Sequence, residues 1–290
     1  MVHICKDSVQ GTRLCNHDCL FCIENREINV NPIIPSFADI SRIADHIRSN
    51  LGSNTEIMVA GGEPSLYPEF EKIIQLFYDN FSIVNLSTNG CGRNDLIYSL
   101  IAKGMIKKCT VYLHSHDEMK YQSLTNSKPG DFTLVLRFLD EIKLMLRELH
   151  INFVIVRQNI CEMARFIEFI AKLFPTATVH FYHYINTGNA YYHNELSFNV
   201  FAYAKYFTEA IDMTEKCKLK AFFRDIPFCI DDRLQYLSED ISNNLIFAYT
   251  NDAGIKCNQE KAATHALKKC MRCVFSGTCS GVISSNYGSK

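Results

Sequence analysis

The chain reads as an α/β fold, a partial (β/α)6 TIM-like barrel with a small Cys-rich C-terminal segment. Apolar strand-like runs alternate with amphipathic stretches through the first two-thirds of the 290 residues. Six such units appear, and the polar motifs fall where the strands would end, the place where barrels of this type carry their sites. With 47% hydrophobic and 21% charged residues the chain can bury one large or two modest domains.

Strands are expected near 9–15, 55–60, 82–87, 109–114, 151–157 and 177–184, with helices near 37–50, 68–79, 93–103, 131–148, 161–173 and 197–214. The second strand is the run Glu56-Ile57-Met58-Val59-Ala60, and the third is Ser82-Ile83-Val84-Asn85-Leu86. The helix over 131–148 has the clearest period, because Leu134, Phe138, Ile142 and Leu146 recur about once per turn and Asp131 can cap it. Ser123 to Gly130 reads as a polar loop into that helix. Beyond 215 the cysteines cluster and the helical period fades, which divides the chain into 1–215 and 216–290. There is no internal repeat, low-complexity tract or long linker.

A formal net charge of -1 gives no basic field for a phosphate backbone, so nucleic acid is disfavoured as a partner. No charged-then-apolar leader opens the chain, and no apolar run reaches the roughly 18–20 residues that span a bilayer, so a soluble, cytoplasmic protein with no membrane partner is expected. Thirteen cysteines without a secretory signal point to a reducing compartment, where thiols serve as metal ligands and stay unpaired.

Three of them, Cys15, Cys19 and Cys22, form C-x3-C-x2-C on one short segment. A 4Fe-4S cube takes four ligands, so three thiolates leave one iron open. The same spacing alone also suits a zinc knuckle or buried structural thiols. Downstream, the second strand runs into Gly61-Gly62-Glu63-Pro64, and the third into Ser87-Thr88-Asn89-Gly90. The glycines let backbone approach a ligand closely, and carbonyls with a carboxylate can accept from an ammonium.

In this order the three motifs resemble the radical S-adenosylmethionine (radical SAM) superfamily over residues 5–215. The resemblance implies a SAM-binding 4Fe-4S cluster on Cys15, Cys19 and Cys22, with SAM itself held by Gly61, Gly62, Glu63 and Pro64 and lined by Ser87, Thr88 and Asn89. It also implies that Ser115 or His114, after the fourth strand, and Arg157 and Asn159, after the fifth, contact SAM or substrate. His114 and His116 would point to opposite faces of a continuing strand, which disfavours a two-His metal site. An Asn that caps a helix and a surface Arg explain Asn159 and Arg157 equally well. Cys161 could donate a hydrogen atom at the barrel mouth, as in radical epimerases, or simply pack. Tyr182, His183 and Tyr184 could line a substrate cavity or belong to the core. The 14 residues before Cys15 are too few for a leader-peptide recognition domain.

Near the C-terminus, Cys270, Cys273 and Cys279 form C-x2-C-x5-C, with Cys229 and Cys257 upstream. This is similar to the auxiliary-cluster extensions of the superfamily, the SPASM and twitch domains, and implies one auxiliary 4Fe-4S cluster on Cys229, Cys270, Cys273 and Cys279, with Cys257 as the alternate. A structural zinc is the other reading of the same thiols. Lys268, Lys269 and Arg272 would offset a tetrathiolate in either case.

The resulting expectation is an enzyme that reductively cleaves SAM to a 5'-deoxyadenosyl radical, with an external electron donor such as flavodoxin or ferredoxin. Its substrate is expected to be a ribosomally made peptide, through crosslinking, thioether formation or oxidation. The alternatives are dehydrogenation of a small polar molecule and, from another class, a non-enzymatic zinc-binding interaction protein.

Overall fold

The computed structural model describes residues 2–4, 14–23, 36–238, 246–251, 254–258, 264–265, 268–275, 278–279 and 281–283. Its elements run β1 (Val2–Ile4), α1 (Phe37–Leu51), β2 (Glu56–Val59), α2 (Phe70–Asn80), β3 (Ile83–Thr88), α3 (Asn94–Ala102), β4 (Lys108–Tyr112), α4 (Glu118–Thr125), α5 (Asp131–Ile142), β5 (Glu148–Ile155), α6 (Met163–Leu173), β6 (Thr178–His183), α7 (Ala204–Cys217), β7 (Lys220–Arg224), α8 (Leu234–Leu237), β8 (Ile246–Asn251) and β9 (Gly254–Asn258). One nine-stranded sheet has the order β7-β6-β5-β4-β3-β2-β1-β8-β9. All its neighbours pair in parallel except β8 with β9. A small antiparallel pair, β10 (Thr264–His265) with β11 (Val282–Ile283), stands apart from it.

Local chemistry sets these elements. Helix α1 opens on a capping box in which Ser36 and Asp39 satisfy each other's main-chain N–H groups, and it buries Ile40, Ile43, Ala44 and Ile47 on one stripe. The strands alternate sharply between their two faces. On the outer face Ile57, Leu86, Val111, Ile151, Phe153, Val179, Phe181 and Phe223 are fully buried under the helices. Phe166 of α6 meets both Phe153, at 4.7 Å, and Phe181, at 6.2 Å. Fully burying a side chain of this size contributes about 1.5–3 kcal/mol, so the outer face supplies much of the stability. The inner face is polar.

Several expectations shift. Helix α5 stops at Ile142, because its buried stripe is Phe132, Val135, Phe138, Leu139 and Ile142 while Leu134 is exposed; β5 then begins at Glu148. Its N-cap is Gly130, at φ +90°, and the Asp131 carboxylate turns instead to His17 and the Lys128 N–H. The stretch read as a polar loop from Ser123 begins inside α4, a helix that buries only Tyr121, Leu124 and Thr125. Of the first expected strand, residues 9–13 lie outside the described residues, Leu14 and Cys15 are not in a strand, and the edge next to β2 is taken by β1. Strand β7 lies past residue 215 yet pairs with β6, so the sheet runs across the expected boundary.

Candidate functional site

The segment Leu14–Ile23 crosses the C-terminal rim of the sheet, held by main-chain bonds to its neighbours. The N–H groups of Asp18 and Leu20 donate to the carbonyls of Thr125 and Leu124, at 3.1 and 2.9 Å. Those carbonyls end α4, where a helix leaves acceptors without intrahelical partners. The Glu63 N–H donates to Leu14 O at 2.8 Å, and the Ala190 N–H to Cys22 O at 3.3 Å. Asn126 and Asn189, in the loops after α4 and β6, donate from their amides to Asp18 O and Cys19 O.

The three thiols share this segment. Burial pushes the Cys15 thiol up to about 11, with smaller upward contributions from Glu63 and Cys22, against main-chain N–H groups of His17 and Asn16 that donate to its sulfur. Burial, then the neighbouring Cys22 and Cys15, holds Cys19 well above the ordinary thiol range. Such thiols stay protonated unless a cation replaces the lost water. Asn89 Nδ2 stands 3.9 Å from Cys15 Sγ.

Glu63 is the hub of the rim. It is fully buried, and its carboxylate takes four donors: the N–H and hydroxyl of Ser65 on Oε1, at 3.2 and 2.6 Å, and the Thr88 hydroxyl and Asn89 N–H on Oε2, at 2.7 and 2.8 Å. Burial raises its pKa, and the hydrogen bonds from Ser65, Asn89 and Thr88 oppose that rise. The carboxylate therefore welds the turn after β2 to the turn after β3, and its acceptor sites are filled. Within that turn Gly61 adopts φ +124°, a conformation that favours glycine. Gly92 completes the weld, since a Cβ there would lie 1.9 Å from Ser65 Oγ. Pro64 opens the short 3-10 turn that aims Ser65 inward. Ser87 is buried one step below the rim, in register with Thr110.

Below the rim the inner face carries a polar ladder. Lys108 bridges Glu56 at 2.9 Å and Glu148 at 3.0 Å; burial lowers its pKa, but these carboxylates raise it further, and the net shift is upward. His150 donates from Nε2 to Glu148 at 3.4 Å, so its Nδ1 accepts from His180 Nε2 at 2.9 Å. His180 stacks on Phe222, and Arg224 stands 5.0 Å over the Tyr182 ring. Asn152, in register with Tyr112 and His180, is 6% exposed, and its Oδ1 has no hydrogen-bond partner. Above it His114, past the end of β4, accepts from the Val154 N–H at Nδ1, which leaves Nε2 as the protonated donor. Burial depresses its pKa to about 3, so the ring is neutral, and Phe21 of the cysteine segment packs edge-on at 4.4 Å.

Asn159 is a staple: its Oδ1 accepts from the Val156 N–H, and its Nδ2 donates to His114 O and Val154 O. Ser115 is fully buried, accepting from the Asp117 N–H and donating to Glu162. Arg157 and Cys161 are exposed. His183 is buried against Phe198, while Tyr182 faces inward. Asn152, Asn189 and the His17–Asp131 pair were not anticipated. A period-2 reading of Glu148-Leu-His-Ile-Asn152 would have flagged the polar inner face; no local signal marks Asn189.

Of the C-terminal thiols, Cys279 meets the stretch that follows β7. The main-chain N–H groups of Phe228 and Gly281 both donate to Cys279 Sγ, at 3.5 and 3.4 Å, and Phe228 meets Phe275 edge-on. Cys229 follows Phe228 directly and is exposed, and the Cys273 N–H donates to Cys270 O. The Cys257 side chain lies outside the described residues.

Three soft sulfur donors on one loop, with N–H groups around Cys15 and burial that demands a compensating cation, fit an iron-sulfur cluster held by three protein ligands. No helix among the described residues is long and apolar enough to cross a membrane.

Residues 9–170 match the Radical SAM superfamily. The probable GTP 3',8-cyclase of Sulfurisphaera tokodaii is 30% identical over 159 residues, covering 54% of this chain and 49% of that protein. The 7,8-dihydro-6-hydroxymethylpterin dimethyltransferase of Methanocaldococcus jannaschii is 32% identical over 92 residues, 31% of this chain and 18% of that one. The chain thus spans about half the length of the cyclase it matches, and less of the methyltransferase. Among solved structures, anSMEcpe with bound AdoMet superposes with a TM-score of 0.65 at 15% identity, covering 97% of this chain and 88% of that one. Streptococcus suis SuiB bound to its precursor peptide SuiA gives 0.60 at 15% identity over 77% of this chain and 47% of that one. The likeness to both is one of fold. With the matched stretch spanning more than half of its residues, the chain belongs to the radical SAM superfamily of enzymes.

Proposed function

We propose that the chain cleaves SAM reductively at Cys15, Cys19 and Cys22 and uses the radical to take a hydrogen atom from a polar substrate seated in the barrel interior. The observation that carries this is the convergence of the three-thiol segment, the Gly61–Pro64 turn and the Thr88–Asn89 turn on one rim through Glu63. When bound, the cluster supplies one electron from a donor such as flavodoxin or ferredoxin, splitting SAM into methionine and a 5'-deoxyadenosyl radical. The chain's own residues do the rest. The carbonyls of Gly61 and Gly62 accept from the SAM ammonium, and His114 offers a neutral N–H donor between rim and interior. In anaerobically reconstituted protein, replacing Cys15, Cys19 and Cys22 together with Ala should abolish 5'-deoxyadenosine formation; undiminished product from that variant would refute the assignment.

A small polar substrate suits the inner face, where the Asn152 amide is buried with Oδ1 unbonded. The curated relatives named above act, by name, on a nucleotide and a pterin. Peptide modification is the second reading, favoured by the superposition over 97% of the chain on anSMEcpe, which is also solved with a bound Cp18Cys peptide.

We further propose an auxiliary 4Fe-4S cluster on Cys229, Cys270, Cys273 and Cys279, in the Cys-rich segment beyond 216, that accepts the substrate radical's electron or anchors the substrate. Two N–H donors on Cys279 Sγ are the pattern expected around a ligating thiolate. Replacing Cys273 and Cys279 with Ala should lower iron from about eight to about four per chain while SAM cleavage persists, the arithmetic of losing one of two cubes. Loss of one zinc with iron unchanged would make the site structural.

A further inference from the structure

Between Cys15 and Cys19 stand Asn16, His17 and Asp18, and the first two are clamped by side chains from distant parts of the chain. Asn16 Nδ2 donates to Cys91 O at 2.9 Å, while its Oδ1 accepts from Asn89 Nδ2 at 2.8 Å; Asn89 in turn accepts from the Cys91 N–H. His17 is 5% exposed and donates from Nε2 to Asp131 Oδ2 at 3.2 Å, with Tyr121 edge-on to its ring. The same carboxylate oxygen accepts from the Lys128 N–H at 2.9 Å, which fixes it at the first residue of α5. Cys91 closes the group by donating from Sγ to Asp131 O at 3.4 Å. These clamps fix the loop between Cys15 and Cys19, and Asn89 also brings its own amide N–H to 3.9 Å from Cys15 Sγ.

We propose that Asp131 and Asn89 are positioning residues for the cluster: Asp131 through His17, and Asn89 through Asn16 and its own amide beside Cys15 Sγ, hold the loop that carries Cys15, and so set how firmly iron is kept and at what potential the cluster takes its electron. This rests on the Cys15, Cys19 and Cys22 assignment. Hydrogen bonds to a cluster's sulfurs spread the added negative charge, so removing them makes reduction harder. Outer partners of metal ligands are commonly worth 10–100-fold in affinity. The same atoms allow a rival account, because His17, Cys91 and Asp131 bring three ligating atoms within 4.8 Å of one another. A mononuclear ion there would give these residues a different job.

The test uses anaerobically reconstituted full-length protein carrying Asp131→Leu, Asp131→Asn, His17→Gln or Cys91→Ser. First, iron, zinc and sulfide are counted per chain. Then the rate of iron loss to a chelator and the cluster potential by EPR-monitored titration are measured without SAM or substrate. Asp131→Leu should lose iron roughly 10-fold faster and shift the potential to more negative values. Asp131→Asn, which keeps an acceptor for His17, should restore most of both. Cys91→Ser should match wild type in metal count. A wild-type potential and iron-loss rate in both Asp131→Leu and His17→Gln would overturn the proposal, and so would loss of one metal equivalent in Cys91→Ser. If wild-type protein takes up no cluster at all, the prior assignment of Cys15, Cys19 and Cys22 fails instead.

Discussion

Asn159 and Asn152 are seven residues apart, one just past the end of β5 and one within it, and both are buried. The rim amide bonds three main-chain groups that the end of the strand leaves open. The interior amide makes no bond of its own at Oδ1. The contrast extends to carboxylates: Glu63, on the rim, is saturated by Ser65, Thr88 and Asn89, whereas Glu148, lower on the inner face, remains 37% exposed beside Lys108 and His150. Burial of a polar group demands partners. At Asn159 and Glu63 the protein supplies those partners and the residue builds the frame; at Asn152 it leaves Oδ1 without one. On the function proposed above, the rim is the fixed architecture that would carry the cofactor, and the interior is the surface left to meet a substrate.

The largest expected effect tests the rim. Glu63→Gln turns one carboxylate oxygen into a donor facing two donors, so apo protein should lose about 4 kcal/mol of stability by urea unfolding, several charge-assisted bonds at 1.5–3 kcal/mol each. A variant as stable as wild type would reduce Glu63 to a ligand contact. Next is Asn159→Ala, which strands the Val156 N–H and the His114 and Val154 carbonyls; about 3 kcal/mol should be lost.

His183 tests burial by pH. Burial holds its pKa at about 4, although its Nδ1–H donates to Tyr184 O. The folded ring therefore stays neutral while the unfolded ring protonates below about 6.5, so its contribution is whole above that pH and fades as the pH falls towards 4. At pH 5 the loss attributable to it is about 2 kcal/mol, and His183→Phe should flatten the stability profile between pH 7.5 and 5 by that amount. An unchanged slope would place the titration elsewhere.

The fold was legible because its outer face is regular: Ile57, Leu86, Val111, Phe153 and Phe181 sit in runs that only a covered strand explains. The cysteine segment and the Gly61–Pro64 turn were legible because each concentrates its chemistry within a few residues. Helix α4 was missed, since a helix that buries only Tyr121, Leu124 and Thr125 leaves little periodic trace. The partners of Asn159, Ser115 and Glu63 were hidden for a different reason. A polar residue at a strand end looks the same in sequence whether its atoms meet a ligand or a neighbouring main chain, and only Asn159's three partners, Ser115's Glu162 and Glu63's four donors decide it. The His17–Asp131 pair spans 114 residues, a separation at which no local pattern operates.

The difference between frame and reading surface is tested most directly by thermal unfolding of two variants of the apo chain side by side, Asn159→Ala and Asn152→Leu. Asn159→Ala should fall by roughly 6–12 °C, about 3 kcal/mol at 2–4 °C per kcal/mol for a chain of this size. Asn152→Leu should melt at or above the wild-type temperature, because it replaces an amide whose Oδ1 is unbonded with an apolar side chain of similar volume. A loss in Asn152→Leu as large as that in Asn159→Ala would contradict the account, for it would mean that the interior amide is frame as well.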